Sequence, residues 1–211
     1  MINLSVYNTS GKEVETIKVD ESVFGGRVRY PLLKQAIVRY HANQRVGTAA
    51  TKNKSLVAGS TRKLFKQKGT GNARVGQIRT AKRIGGGVTF AKSVREFRQE
   101  MPKKQKKLAR DSAILAKLLG NNVVVVDALK FEKPRTKDFV IVLNNLKIER
   151  SCIVTAKERD DNLYKSARNI PKIQVMPVAE LNAGGICNCQ KLLFTKDAFL
   201  SLLEAGKTIK N

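Results

Sequence analysis

The chain has 211 residues, 42% of them hydrophobic, which is enough to bury the core of a medium-sized domain. Its 41 Lys and Arg outnumber 17 Asp and Glu, and a formal net charge of +24 is unusual for a soluble enzyme of small molecules. This excess indicates an anionic polymer or surface as partner. No long apolar run or leader pattern occurs, so no membrane partner is expected, and three cysteines without a disulfide framework favour a reducing cytoplasm.

Two elements are predicted near the N-terminus. Residues 2–7 and 14–19 alternate in polarity, and the Ser-Gly pair at 10–11 favours a turn, so this stretch predicts a small β-hairpin. Over residues 30–45 the apolar side chains recur at spacings of three and four, which predicts a helix.

A basic segment without hydrophobic periodicity follows. Residues 22–95 contain no Asp or Glu but hold 17 Lys and Arg, and 8 of the 15 glycines fall within 46–92. Such a stretch has too little apolar surface to order itself. We therefore predict one globular domain, formed by 1–45 and 96–211, with a long basic loop inserted at about 46–95 that is flexible until its partner is present.

After this segment, helical and strand patterns alternate. Short apolar runs predict strands at 123–126, 152–155, 173–176 and 192–195. Periodicity predicts helices at 102–119, 134–146, 163–170 and 197–205. Leu119 and Val140 are expected on the apolar faces of their helices, and Gly120 and Gly206 behind the helix ends. This rhythm predicts a layered α/β fold with a mostly parallel sheet.

The sequence offers no convincing catalytic or metal site. Residues 68–74 begin like a dinucleotide-binding fingerprint but have Arg74 at the third glycine position and follow no strand. The single histidine, His41, has no predicted nucleophile beside it. The three cysteines, at 152, 187 and 189, are too few for the usual four zinc ligands. We expect no enzyme activity, no metal and no cofactor.

The chemistry of the predicted loop is that of nucleic-acid binding. Cations recur every two to seven residues with small residues between them, which suits a chain threaded past successive phosphates. The predicted RNA-binding residues are Arg45, Lys52, Lys54, Arg62, Lys63, Lys66, Lys68, Arg74, Arg79, Lys82, Arg83 and Lys92. The glycines expected to let the backbone approach RNA are Gly69, Gly71, Gly76, Gly85, Gly86 and Gly87.

Aromatic side chains are sparse in this segment. Only Phe65 and Phe90 lie between residues 46 and 92, which disfavours a stacking platform for single strands. An irregular basic loop is better suited to a folded RNA than to a regular DNA groove.

Two motifs in the loop carry a family resemblance. Two segments resemble the bacterial form of the ribosomal protein L-four family, universal large-subunit protein four. They are residues 59–76, which include Lys-Gln-Lys-Gly-Thr-Gly at 66–71, and residues 85–90, which read Gly-Gly-Gly-Val-Thr-Phe. The resemblance covers essentially the whole chain, including residues 38–48 and 192–198. It implies a structural protein with a Rossmann-like α/β domain on the outside of the large subunit, in contact with large-subunit ribosomal RNA.

The resemblance also implies a role for the loop in the peptide exit tunnel. In the family the loop helps to form the tunnel constriction beside large-subunit protein twenty-two, where the nascent peptide passes, and the protein joins the particle early in assembly. By the motif match, Arg62 and Lys63 fall at the tunnel-facing tip with Phe65 close by. Leu64 and Phe65 stand where the family usually has Pro and Trp, and the short ending after Lys207 fits the bacterial form.

Two other functions are compatible with a basic α/β protein. An RNA-modifying enzyme would use the α/β domain to hold a cofactor, but residues 123–128 provide no Gly-rich turn after the strand. A general nucleic-acid architectural protein would bind duplex DNA and ribosomal RNA equally well.

Overall fold

The computed structural model describes residues 1–207, and the expectation about the ending after Lys207 lies outside these residues. The chain divides into two compact units. The first contains Met1–His41 and the chain from Glu100 onward, and the second is Ala42–Gln99. Only the first unit has regular sheet structure, and we describe each by itself.

The first unit contains one six-stranded sheet. Its strands are β1 (Ile2–Tyr7), β2 (Glu13–Val19), β3 (Val123–Val126), β4 (Cys152–Ala156), β5 (Ile173–Pro177) and β6 (Lys191–Thr195). Within residues 1–207 the strand order is β2-β1-β3-β6-β4-β5, and all neighbours except β1 and β2 are parallel. The predicted hairpin is confirmed, and β1 joins it to the parallel strands.

Helices cover both faces of this sheet. They are α1 (Tyr30–Gln44), α2 (Lys103–Leu119), α3 (Thr136–Asn145), α4 (Asp161–Ala167), α5 (Ala183–Asn188) and α6 (Lys196–Lys207), with 3₁₀ turns at Glu21–Phe24 and Val178–Glu180. The predicted α/β architecture is therefore present, with a mixed, mostly parallel sheet. No helix within the described residues is both long and apolar enough to cross a membrane.

Alternation along the central strands produces two hydrophobic layers. On β6, Leu192 and Phe194 pack in the cluster that includes residues of α2 and α6, whereas Leu193 between them packs in the cluster of α3 and α4. Phe194 also makes an edge-to-face contact with Phe199 of α6, with ring centroids 5.6 Å apart. Because successive strand residues point to opposite faces, a fully apolar strand indicates burial on both sides.

Two side chains expected in the core are exposed. Leu119 is 55% exposed and Val140 is 38% exposed. Each directly follows a buried residue, Leu118 or Phe139, and successive helical residues point about 100° apart. Val142, at the i+3 position from Phe139, occupies the core instead of Val140.

Of the two glycines expected behind helix ends, Gly120 is confirmed at the end of α2, whereas Gly206 needs correction. Gly206 lies inside α6, where a Cβ atom would come within 2.5 Å of Val23 Cγ1, so the glycine permits a close helix contact rather than ending the helix. Gly120 caps α2 with an ordinary negative φ, and the left-handed conformation falls on the following Asn121, at φ 51°.

We expect Phe194→Ala to lower the free energy of unfolding by about 3–5 kcal/mol, because it leaves a cavity between β6 and α6. Urea unfolding followed by far-UV circular dichroism measures the loss. Phe90→Ala is the matched control: its side chain is 91% exposed, so the expected change is within about 0.5 kcal/mol. Equal losses for the two variants would contradict this description of the core.

Candidate nucleic-acid interface

The second unit, Ala42–Gln99, has no hydrophobic core of its own. Among the described residues, every buried hydrophobic side chain lies outside residues 42–99. Eight large apolar side chains of this unit are exposed: Val46, Leu56, Leu64, Ile78, Ile84, Val88, Phe90 and Val94. Apart from the end of α1, no helix or named strand occurs between residues 42 and 99. Hydrophobic burial therefore does not hold this unit together.

Sparse hydrogen bonds pair the two limbs of this unit, the outgoing limb at residues 42–64 and the returning limb at residues 76–99. The Gln99 amide donates to Asn43 Oδ1 (2.7 Å), and the Arg95 amide donates to the Gly47 carbonyl (3.3 Å). Farther along, the Thr51 amide donates to the Lys92 carbonyl (2.9 Å), and the Lys92 amide returns a bond to Thr51 Oγ1 (2.8 Å). The two limbs therefore pair as a hairpin, but their backbone hydrogen bonds do not form a continuous β-ladder.

The pairing continues to the predicted tip. Lys63 and Gln77 form an isolated antiparallel bridge, and the Leu64 amide donates to the Gly76 carbonyl at 3.3 Å. The turn between the limbs therefore lies within residues 65–75, and Arg62 and Lys63 lie just before it. The Lys63 ammonium donates to Gln67 Oε1, within the same region. Which of these residues faces the tunnel stays a prediction about the assembled particle.

The predicted phosphate-binding side chains point largely into solvent. All twelve are exposed except Arg79, which is partly buried. Arg79 packs near Gly59, and its Nε atom is buried without a hydrogen-bond partner among the described residues. In the part of the chain that is described, no Lys or Arg of residues 42–99 forms an ion pair. The cations are therefore available to an external anion.

The predicted RNA-approach glycines fall into two groups. Gly69, Gly71 and Gly85 have positive φ, and a Cβ atom there would meet nothing within 4 Å, so their backbone is open to a ligand. Gly86 and Gly87 instead contact the protein itself. A Cβ atom on Gly86 would lie 2.0 Å from the Thr80 carbonyl oxygen, and one on Gly87 would lie 2.3 Å from the Lys54 nitrogen.

Gly76 belongs to neither group. A Cβ atom there would make an ordinary contact at 3.7 Å with Thr80, and its φ is not in the left-handed region.

The first unit shows neither a metal cluster nor a phosphate-binding turn. Within residues 1–207, no group of three or more His, Cys, Asp or Glu is placed to hold a metal ion. β3 leads into Asp127-Ala128 rather than a Gly-rich turn. Burial raises the pKa of Cys152 to about 12, which keeps this thiol protonated and unreactive. Cys187 lies in α5, and the buried Cys189 caps that helix two residues before β6.

Sequence reasoning missed an arginine–aromatic cluster at the ends of the two limbs. The Arg45 guanidinium carbon lies 3.8 Å from the Phe97 ring centroid, and that of Arg95 lies 4.6 Å from it. Arg95 and Phe97 are not among the predicted site residues, because both lie beyond the glycine-rich stretch at 46–92. The signal was present: Phe97 stands between Arg95 and Arg98.

Comparison with known proteins identifies a family and close relatives. Residues 17–205 match the family described as the ribosomal protein L4/L1 family. The chain is 41% identical over 204 residues to large ribosomal subunit protein uL4 of Pelotomaculum thermopropionicum, covering 97% of this chain and 98% of the relative. It is 40% identical to large ribosomal subunit protein uL4 of Moorella thermoacetica, covering 97% of this chain and 99% of that one.

We expect Gly87→Ala to open the local contact between the limbs, because the added methyl group would overlap the backbone at Lys54. The adjacent bond from the Val88 amide to the Lys52 carbonyl, 2.9 Å long, should then exchange its hydrogen faster. Hydrogen–deuterium exchange at Val88 measures this effect. Gly76→Ala is the control and should leave the exchange rate unchanged; the same acceleration in both variants would contradict the assigned packing.

Proposed function

Because this chain belongs to the ribosomal protein L4/L1 family and is a structural protein of the large ribosomal subunit rather than an enzyme, we propose that it binds large-subunit ribosomal RNA through the basic loop at about 46–95. The remaining residues, 1–45 and 96–211, act as the globular domain from which the loop extends. The RNA and neighbouring ribosomal proteins are its partners, and its location is the cytoplasmic ribosome.

The observation that carries this proposal is the charge of the second unit. Residues 42–99 contain 14 Lys and Arg and one acid, Glu96. Because their cations form no ion pairs among the described residues, RNA phosphates would provide the missing countercharge, with release of the ions condensed on the RNA.

The exposed apolar side chains support the same conclusion. Removing a large apolar side chain from water is energetically favourable. Ile84 and Phe90, fully exposed or nearly so, have no protein partner that buries them. Bases and riboses of a folded RNA, with neighbouring ribosomal proteins, supply surfaces that would cover them. The loop is thus suited to become ordered and buried within the particle.

We further propose that the loop lines the constriction of the peptide exit tunnel. Arg62, Lys63 and Phe65 would lie at the tunnel-facing tip, next to large-subunit protein twenty-two and the nascent peptide. The support is the family membership together with the loop motif at 66–71. A protein whose loop lies inside the RNA must be incorporated before the RNA closes around it, which favours a role early in assembly.

The α/β unit is proposed to be Rossmann-like in topology without a cofactor function. Its parallel strands β3, β6, β4 and β5 have helices on both faces, as in doubly wound folds. The relatives bear the names of ribosomal proteins, which disfavours the RNA-modifying enzyme. A general nucleic-acid architectural protein can be distinguished from the proposed function by experiment, because it would bind duplex DNA as tightly as ribosomal RNA.

We expect the triple variant Lys66→Gln, Lys68→Gln and Arg74→Gln to bind large-subunit ribosomal RNA more weakly and with a shallower salt dependence. Each lost phosphate contact removes roughly 0.7–0.9 from the slope of log affinity against log salt, so the total decrease is about two. Filter binding over a range of salt concentrations, with duplex DNA as competitor, measures both quantities.

The matched control is Lys133→Gln, Lys137→Gln and Lys165→Gln, which removes the same charge from exposed positions of the first unit. Its salt slope should change less. Equal slopes for the two triple variants would refute the assignment of RNA binding to the loop, and equal affinity for duplex DNA would favour the architectural protein.

The tunnel proposal predicts a separation between assembly and tunnel function. Lys63→Glu, near the turn, should alter nascent-chain pausing or macrolide response more than subunit assembly. Lys52→Glu, an exposed position away from the turn, should mainly reduce incorporation, measured by the protein content of large subunits on sucrose gradients. If both variants impaired assembly to the same extent, Lys63 would not be the tunnel-facing residue.

A further inference from the structure

We propose that the paired ends of the two limbs, residues 45–49 and 91–97, form a binding site for one unpaired RNA nucleotide. Its base would stack on a guanidinium plane of Arg45 or Arg95, and its phosphate would bind Lys92. This inference rests on the proposed RNA binding and specifies the chemistry recognised at one place, away from the predicted tip.

The stacking element is already assembled in the protein. Two guanidinium groups lie over a single ring, with Arg45 Cζ at 3.8 Å and Arg95 Cζ at 4.6 Å from the Phe97 centroid. The half-buried ring fixes the planes of two side chains that would otherwise rotate freely in solvent. Flat guanidinium groups are surfaces on which unpaired RNA bases stack.

The backbone around this cluster is held in place by several contacts. The Arg95 amide donates to the Gly47 carbonyl, and Asn43 is joined to Gln99 by two hydrogen bonds, at 2.7 and 3.3 Å. Gly47 is also required by close packing, since a Cβ atom there would lie 2.0 Å from the Arg95 carbonyl oxygen and 3.1 Å from two Phe97 ring carbons. The site is therefore preorganised, which lowers the entropy cost of binding.

A groove of about 650 Å³ adjoins the cluster and combines the contacts that a nucleotide requires. Besides the arginines and Phe97, its lining provides apolar surface, two hydroxyl groups and an ammonium group: Val46, Ala49, Ala91, Thr48, Ser93 and Lys92. A base and ribose match the apolar and hydroxyl surfaces, and a phosphate matches the ammonium group.

The charge of the groove favours a ligand with a negative charge. Arg45, Lys92 and Arg95 line it, and none forms an ion pair with a carboxylate among the described residues. Glu96 lines an adjoining cavity instead, together with Arg98 and the other side of Arg45 and Phe97. Two guanidinium groups over one ring repel each other, so an anionic ligand would offset this repulsion.

The experiment compares charge-conserving variants of the full chain in binding to large-subunit ribosomal RNA. The double variant Arg45→Lys and Arg95→Lys keeps both positive charges but removes both planar groups, so affinity should fall about tenfold, as for the loss of one stacked base, at an unchanged salt slope. Arg98→Lys makes the same chemical change at an exposed arginine that does not lie over the ring, and should leave affinity unchanged.

Equal affinities for the Arg45→Lys and Arg95→Lys double variant, Arg98→Lys and the unchanged chain would overturn the stacking site while leaving RNA binding intact. Failure of the unchanged chain to bind ribosomal RNA would refute the proposed function and this inference with it. The two failures are therefore distinguishable.

A second measurement separates base stacking from phosphate binding alone. In NMR titrations of the full chain, adenosine monophosphate should shift the Nε–H signals of Arg45 and Arg95 and the ring signals of Phe97. Ribose 5-phosphate, which lacks the base, should shift them less. Equal shifts with the two ligands would reduce the site to a phosphate contact and overturn the proposal.

Discussion

Repulsion among the fourteen cations of residues 42–99 determines how this chain is organised. A segment with one carboxylate cannot neutralise itself, and the structure places no hydrophobic side chain of this segment in a core. Isolated cross-limb hydrogen bonds, many of them exposed to water, are weak compensation. Away from the packed limb ends at 45–49 and 91–97, the segment therefore lacks an internal source of stability, and under the proposed function an external polyanion would both bind and order it.

The first unit has the opposite balance between charge and hydrophobic burial. It holds all but one of the chain's acids, and its stability comes from apolar strands buried between two layers of helices. Leu192, Leu193 and Phe194 illustrate this arrangement, since consecutive residues of β6 serve alternate layers. Because hydrophobic burial is confined to this unit, the cationic residues of the second unit take no part in a core. They stay available to a partner.

Strong local patterns in the sequence identified most of the fold. The run of four valines in β3 has one physical interpretation, a doubly covered strand, and α4 begins behind Asp160, which accepts a hydrogen bond from the Asn162 amide. α5 was missed because its Ala-Gly-Gly start has neither periodicity nor helix propensity, and it forms where Asn182 caps it and α2 packs on it. The limb pairing joins residues up to 56 positions apart, such as Asn43 and Gln99, which no local pattern reveals.

The contact between Asn43 and Gln99 also affects how the loop can change in evolution. Because these residues meet at the two ends of the insertion, the chain between them is a closed loop whose closure entropy grows only slowly with length. Doubling its length would cost only about 0.6 kcal/mol. Insertions and deletions near the turn would thus be tolerated by the fold, and the dimensions of the loop would be constrained instead by the space available in the proposed RNA partner.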